Sequence, residues 1–259
     1  MEIKSFDILG NIAILKFPIT ATKKNKLIAA RKLLHDHKNI TTVLEKSEKI
    51  KGRLRTFKTN YLAGKKTKTA LYKENNCLFK FDVEETYFSP RLSNERNEVA
   101  RQIKKNESVL VLFAGVAPYS IVIAKNAKPK IVYSVEINRK ASKYAEENVK
   151  LNKLNNVSII QGDAKKVIPK LLKEKIFFDR IVMPRPQLKE SFLKDAFKIV
   201  KKNGLINYYG FAKEENEVLD VINEEAKKFR KKIRIIKVKK AGDIAPYKFR
   251  WRADFKILN

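Results

Sequence analysis

The chain has 259 residues, 44% of them apolar, so it can bury a real core and is not a disordered polymer. Lysine and arginine number 58 against 28 acidic residues, a formal charge of +30 that points to an anionic partner, above all the repeating phosphates of nucleic acid. One cysteine, Cys77, excludes a disulfide framework, and no apolar run approaches the roughly 20 residues of a membrane span. The start MEIKSFDILG has neither the basic nor the apolar segment of a signal peptide, so a soluble cytoplasmic protein is expected.

Residues 1–85 read as a small basic α+β unit. NIAILKF (11–17) alternates like a strand, NKLIAARKLLHDH (25–37) has helical spacing, and NITTVLEKS (39–47) is β-branched. RLRTFKTNYLAG and TKTALYKENNCLFKFD predict two strands around a turn at 64–66. From residue 86 the pattern changes to strands alternating with helices, which predicts a doubly wound, mostly parallel sheet covered on both faces. In order these are a helix NEVARQIKK, strand SVLVLFAG, helix SIVIAKNA, strand KIVYSVEIN, helix RKASKYAEENVKLNKL, strand NVSIIQGDA, helix KVIPKLLKE and strand FDRIVMP. A helix KESFLKDAFKIVKKNG with a glycine C-cap, strand LINYYGF and helix EENEVLDVINEEAKKFRKK follow. IRIIKVKKAG and RWRADFKIL, with no helix between them, predict a closing antiparallel hairpin at the sheet edge.

Such sheets bind ligands beyond the carboxyl ends of their strands, near the point where strand order reverses. Four stretches fall there. The first strand runs into Phe113, Ala114, Gly115, Val116, Ala117 and Pro118, where glycine lets backbone approach a ligand. The second ends in Glu136, Ile137 and Asn138, an acid placed to accept from ribose hydroxyls. The third ends in Asp163 and Ala164, able to meet an adenine amino group, and the fourth in Met183, Pro184, Arg185 and Pro186. The glycines do not form G-x-G-x-x-G, and the succession resembles the S-adenosylmethionine layout of class I, Rossmann-like methyltransferases.

Taken with YFSPRLSNER (87–96), GLINYYGF and APYKFRWRADFKI, these motifs resemble the archaeal and eukaryotic tRNA guanine-37 N1-methyltransferases over nearly the whole chain, in a form without their extra N-terminal domain. The resemblance implies S-adenosylmethionine as cofactor, tRNA at the anticodon region as substrate, and a monomer with no obligatory protein partner. It implies that Glu95 is the general base for the guanine N1 proton and that Arg55 stabilises charge developing at O6. Tyr87 and Arg91 would line the methionine side of the cofactor, and Arg96 would order the base or its phosphate. Where the family has D-x-F-A-G-x-G this chain has Val111 and Ala117, and Pro184 stands where many members carry asparagine, so no amide role transfers.

Pro184 and Pro186 are expected to form a rigid wall for an extruded base, with Arg185 reaching RNA. The run 227–240 holds nine basic residues and no acid, which makes Lys227, Lys228, Arg230 and Lys231 candidate phosphate contacts. His35 and His37 read as a polar helix end, and no metal site is expected. Two other readings stay open: a wyosine-pathway enzyme acting on a tricyclic guanine derivative by methyl or aminocarboxypropyl transfer, or an inactive methyltransferase-like RNA-binding module.

Overall fold

The computed structural model describes residues 5–48, 52–185 and 190–259. A four-stranded sheet comes first, built in spatial order from β1 (Ser5–Leu9), β2 (Ile12–Lys16), β3 (Thr42–Lys46) and β4 (Thr59–Gly64). Helix α1 (Lys23–Asp36) makes the crossover between the parallel pair β2 and β3. Strand β2 is buried on both faces because its residues alternate: Ala13 and Leu15 pack with Ala30 and Leu33 of α1, while Ile12 and Ile14 face the rest of the molecule.

The stretch 67–82, expected as one strand, is a hairpin of β5 (Thr69–Glu74) and β6 (Cys77–Asp82). It turns at Asn75 and Asn76, whose φ of 47° and 61° suit a two-residue turn that asparagine tolerates. The residues at 64–66 separate this hairpin from β4, which pairs with β3.

The larger part consists of α2 (Ser93–Gln102), β7 (Ser108–Leu112), α3 (Pro118–Asn126), β8 (Ile131–Glu136), α4 (Arg139–Leu151), β9 (Val157–Gln161), α5 (Ala164–Lys173), β10 (Phe178–Met183), α6 (Leu193–Ile199), β11 (Val200–Ala212), α7 (Glu215–Lys228), β12 (Ile233–Ala245) and β13 (Lys248–Ile257). Its seven-stranded sheet has the order β12-β13-β11-β10-β7-β8-β9, parallel except for the pairings of β13. The α/β expectation and the closing edge hairpin both hold. One apolar layer packs α2, α3 and α4 against the sheet and extends to the hairpin and small sheet; a second packs α5, α6 and α7 on the other face.

Two boundaries differ from expectation. Helix α2 starts at Ser93, so Glu95 and Arg96 sit in its first turn. Helix α6 stops at Ile199, and Gly204 lies inside β11, not at a helix cap. There a Cβ would come within 3.0 Å of the Asp179 carbonyl oxygen, so glycine serves close strand approach, and Asn203 takes the positive φ of 65°.

The free edge of β6 is closed by side chains. Asn148 accepts from Lys80 N (2.7 Å) and donates to Lys80 O (3.1 Å); Asn152 does the same with Leu78 (2.8 and 2.7 Å). Residues four apart on a helix and two apart on a strand are separated by similar distances, so two amides imitate a neighbouring strand. Asn148→Ala leaves two backbone groups of Lys80 without partners and is expected to lower unfolding stability by about 2–4 kcal/mol, read from urea denaturation. A change below about 0.5 kcal/mol would show that water replaces the amide there.

Candidate functional site

Strand order reverses between β7 and β10, so the crevice opens beyond their carboxyl ends. The loop after β7 is held in an unusual path: Phe113, Gly115 and Ala117 have φ of 57°, 60° and 63°. Gly115 N donates to Glu136 Oε2 at 2.7 Å, and Asn138 N donates to Oε1 of the same carboxylate at 2.7 Å. Glu136 therefore ties the ends of β7 and β8 together and still faces the crevice with its remaining lone pairs. Asn138 caps α4 by accepting from Lys140 N and Ala141 N.

The crevice is open to solvent and lined by both apolar and polar groups. It brings together Tyr87, Phe113, Ala114, Gly115, Pro118, Glu136 and Asn138 with Arg55, Arg96, Pro184 and Arg185. Arg55 lies over the Tyr87 ring at 3.7 Å. A small adjoining recess is lined by Ile137, Asp163 and Ala164 and shares Phe113 and Arg185 with the first. Arg185 Nε is buried with no hydrogen-bond partner among the described residues. Pro186 lies outside the described residues.

Several expected residues are elsewhere. Val116 and Ala117 are fully buried behind the loop, and Met183 lies in the core on the α5–α6 side, so none of the three lines the cavity. Leu92 of the 3-10 turn Pro90–Leu92 faces the cavity, and Arg91 projects away to pair with Asp7 at 3.1 Å. Arg96 reaches the cavity, but its guanidinium is bound to Glu74 and donates to Ser89 O at 3.0 Å, so it orders the loop instead of standing free for RNA. Lys227, Lys228, Arg230 and Lys231 follow α7 back to the start of β12. That is the opposite end of the sheet, because β12 runs parallel to β11 and β10.

Glu95 stands behind the wall, not in it. Its Oε1 accepts from Tyr209 Oη at 2.7 Å and from Arg252 Nη1, and Lys239 Nζ lies 3.6 Å from Oε2. A buried guanidinium draws the nearest carboxylates, and Arg252, with no exposed surface, also binds Glu98 and Asp254, each at 2.9 Å. Tyr119 lines the cavity and donates to Tyr209 at 3.2 Å. Burial pushes the Tyr119 hydroxyl up to about 12, reinforced by Glu95 and opposed by the Tyr209 bond, Arg96 and Arg250. Burial would raise the Asp163 carboxyl, but its Arg53 partner at 2.8 Å, the Lys165 amide and nearby cations hold it below its ordinary value.

Sequence reasoning missed Tyr119, Tyr209, Glu98, Arg252 and Asp254. The signal was polar residues at every second position of strands: Asn207 and Tyr209 in β11, and Arg250, Arg252 and Asp254 in β13.

Residues 70–236 match the family described as TRM5/TYW2 methyltransferase domain, and residues 2–67 match the TYW2 N-terminal domain. The tRNA (guanine(37)-N(1))-methyltransferase Trm5b of Pyrococcus abyssi is 38% identical over 98% of this chain and 74% of its own, and its crystal structure superposes with a TM-score of 0.86. The tRNA (guanine(37)-N(1))/4-demethylwyosine(37)-methyltransferase Taw22 of Nanoarchaeum equitans is 33% identical over 98% of this chain and 100% of its own. A solved complex of aTrm5 with tRNALeu, at 27% identity, covers 99% of this chain and 72% of its own with a TM-score of 0.86.

Burial would raise the Glu98 carboxyl, but Lys239 and Arg252 hold it down to about 2. A depressed carboxyl stabilises the fold above its unfolded value near 4.5 and loses that contribution as pH falls toward 2. Glu98→Gln is therefore expected to flatten the loss of stability between those values in urea midpoints measured against pH; an unchanged acid limb would remove Glu98 from the network.

Proposed function

The chain belongs to the TRM5/TYW2 methyltransferase family, and on that premise we propose that it methylates N1 of guanine 37 in tRNA. The observation that supports this most directly is one cavity bounded on one side by the Gly115–Glu136 hinge and on the other by Arg55, Tyr119 and Pro184. Its lining sets groups suited to a nucleoside donor beside groups suited to a purine.

The donor set fits S-adenosylmethionine. Glu136 offers free lone pairs to ribose hydroxyls, Phe113 and Ala141 give an apolar slot, Asp163 borders the adjoining cavity, and Arg185 has an unsatisfied buried donor. S-adenosylmethionine supplies a sulfonium-activated methyl group when bound.

Guanine N1 carries a proton that must leave as the methyl arrives. Glu95 is the terminal acceptor. Tyr119 and Tyr209 form a row of hydroxyls whose bonds both point toward Glu95, so each oxygen receives one proton and passes one on. Arg55, steadied on Tyr87, stabilises the charge that develops at O6. Pro184 and Arg185 form the wall against which the extruded base rests. The +30 charge holds the anticodon arm, and the enzyme acts as a cytoplasmic monomer.

Labelled S-adenosylmethionine and unmodified transcripts test the reading, with the product mapped by nucleoside mass spectrometry. One 1-methylguanosine at position 37, absent from a transcript with adenosine there, is expected; no transfer would overturn it. Glu95→Gln should lower kcat by roughly 10²–10⁴ with cofactor affinity unchanged. Tyr209→Phe should fall close to the same level, and full activity in that variant would mean that Glu95 meets the base without the tyrosines. The similarity to Taw22 favours a second reading, in which the same site also methylates 4-demethylwyosine. A transcript carrying that base decides it.

A further inference from the structure

Arg250 and Arg252 are neighbours on one face of β13, opposite Phe211 and Tyr209 of β11, yet their surroundings differ. Three carboxylates meet Arg252. Arg250 is also buried, at 6% exposure, but has no hydrogen-bond or ion-pair partner among the described residues, and its Nε is an orphaned donor. Its guanidinium lies over the Phe211 ring at 5.3 Å. Lys248, two residues earlier on the same face and exposed, places its Nζ over the same ring at 5.8 Å, again with no acid bound to it.

A buried guanidinium without a counter-ion is costly, and the exposed ammonium beside it adds repulsion that no acid of the described residues offsets. A missing anion offsets both. The position in the sheet says which one. Phe211 is three residues past Tyr208, which pairs with Met183 at the end of β10, so the cluster lies on the carboxyl side where the cavity opens. Arg250 also acts on the hydroxyl of Tyr119, which lines that cavity. Strand β13 is three places from β7, about 14 Å at ~4.8 Å per strand, on the side away from Glu136 and Asp163. The cofactor's own carboxylate is thus the less suited anion, and a backbone phosphate of the RNA the better one.

We infer that Arg250 and Lys248, floored by Phe211, form a phosphate-binding site for the tRNA backbone beside the target nucleotide. The inference rests on the tRNA methyltransferase reading and adds a substrate contact to it. Guanidinium and ammonium then receive one phosphate group between a buried and an exposed donor, which fixes the strand as the base enters.

The test uses the full chain with Arg250→Gln, Lys248→Gln and the double variant. Transcript binding is measured from about 50 to 200 mM salt, together with S-adenosylmethionine binding by equilibrium dialysis. Each single change is expected to reduce the slope of log affinity against log salt, and the double to reduce it by about 0.7–0.9 in all, the share of one phosphate, with cofactor affinity unchanged. Arg250→Lys is expected to restore the slope. Unchanged slopes overturn the inference, whether the variants are otherwise normal, lose turnover alone through a base contact, or lose cofactor affinity through its carboxylate. If Arg250→Gln does not fold, the exposed Lys248→Gln decides alone. A wild type that binds tRNA but transfers no methyl overturns the enzymatic reading and leaves this one standing; an active wild type with unaltered variant slopes overturns only this one.

Discussion

Arg252 has no exposed surface, and its guanidinium is tolerable there only because Glu95, Glu98 and Asp254 converge on it. The contacts continue beneath α2. Asp254 accepts from Asn207 and Gln102, and Gln102 meets Arg180, which pairs with Glu107 at 3.0 Å. This buried polar row fastens α2 to β10, β11 and β13 through groups that each need a specific partner. An apolar interface of the same area would tolerate rotation of the helix; a row of charges does not, because any slip strands a buried charge. That constraint sets the rotation of α2, and with it the places of Glu95 behind the cavity and of Arg96 and Leu92 in its wall.

A second set of contacts joins the basic N-terminal part to the crevice. Glu74 of the hairpin holds Arg96, and Glu84 at the hairpin's exit accepts from Thr59 of β4 and pairs with Lys68 at 2.8 Å. Arg53 reaches Asp163, Arg185 donates to the Arg53 carbonyl, and Arg55 rests on Tyr87. One short segment, 53–55, therefore touches the Asp163 carboxylate, the fourth-strand loop and the tyrosine of the cavity wall. An RNA contact that shifted this segment would be felt at three points of the site at once.

Charge is distributed with the same economy. The net +30 is carried largely by exposed lysines, while the buried arginines 96, 180 and 252 are matched by acids, so that the long-range field and the internal network are separate uses of one residue class. Arg250 is the member of that buried group left without an acid among the described residues.

Local patterns were enough for the sheet, its covering helices, the closing hairpin and the loop 113–118, because apolar periodicity and the place of a turn after a strand are properties of a few consecutive residues. The same holds for Glu136 and Asp163, whose positions at strand ends follow from the alternation alone. The hairpin turn at Asn75–Asn76 and the true end of α6 were missed, since strand pairing outweighed the glycine signal in one case and the apparent continuity of the run in the other. What no local pattern could supply was the company each charged side chain keeps. Glu95 and Arg252 are 157 residues apart in sequence, and Arg53 and Asp163 are 110. The chain specifies which charges exist and on which face of an element they lie; only the packing of distant elements decides which of them meet, since electrostatic partners are selected by distance in space and by burial.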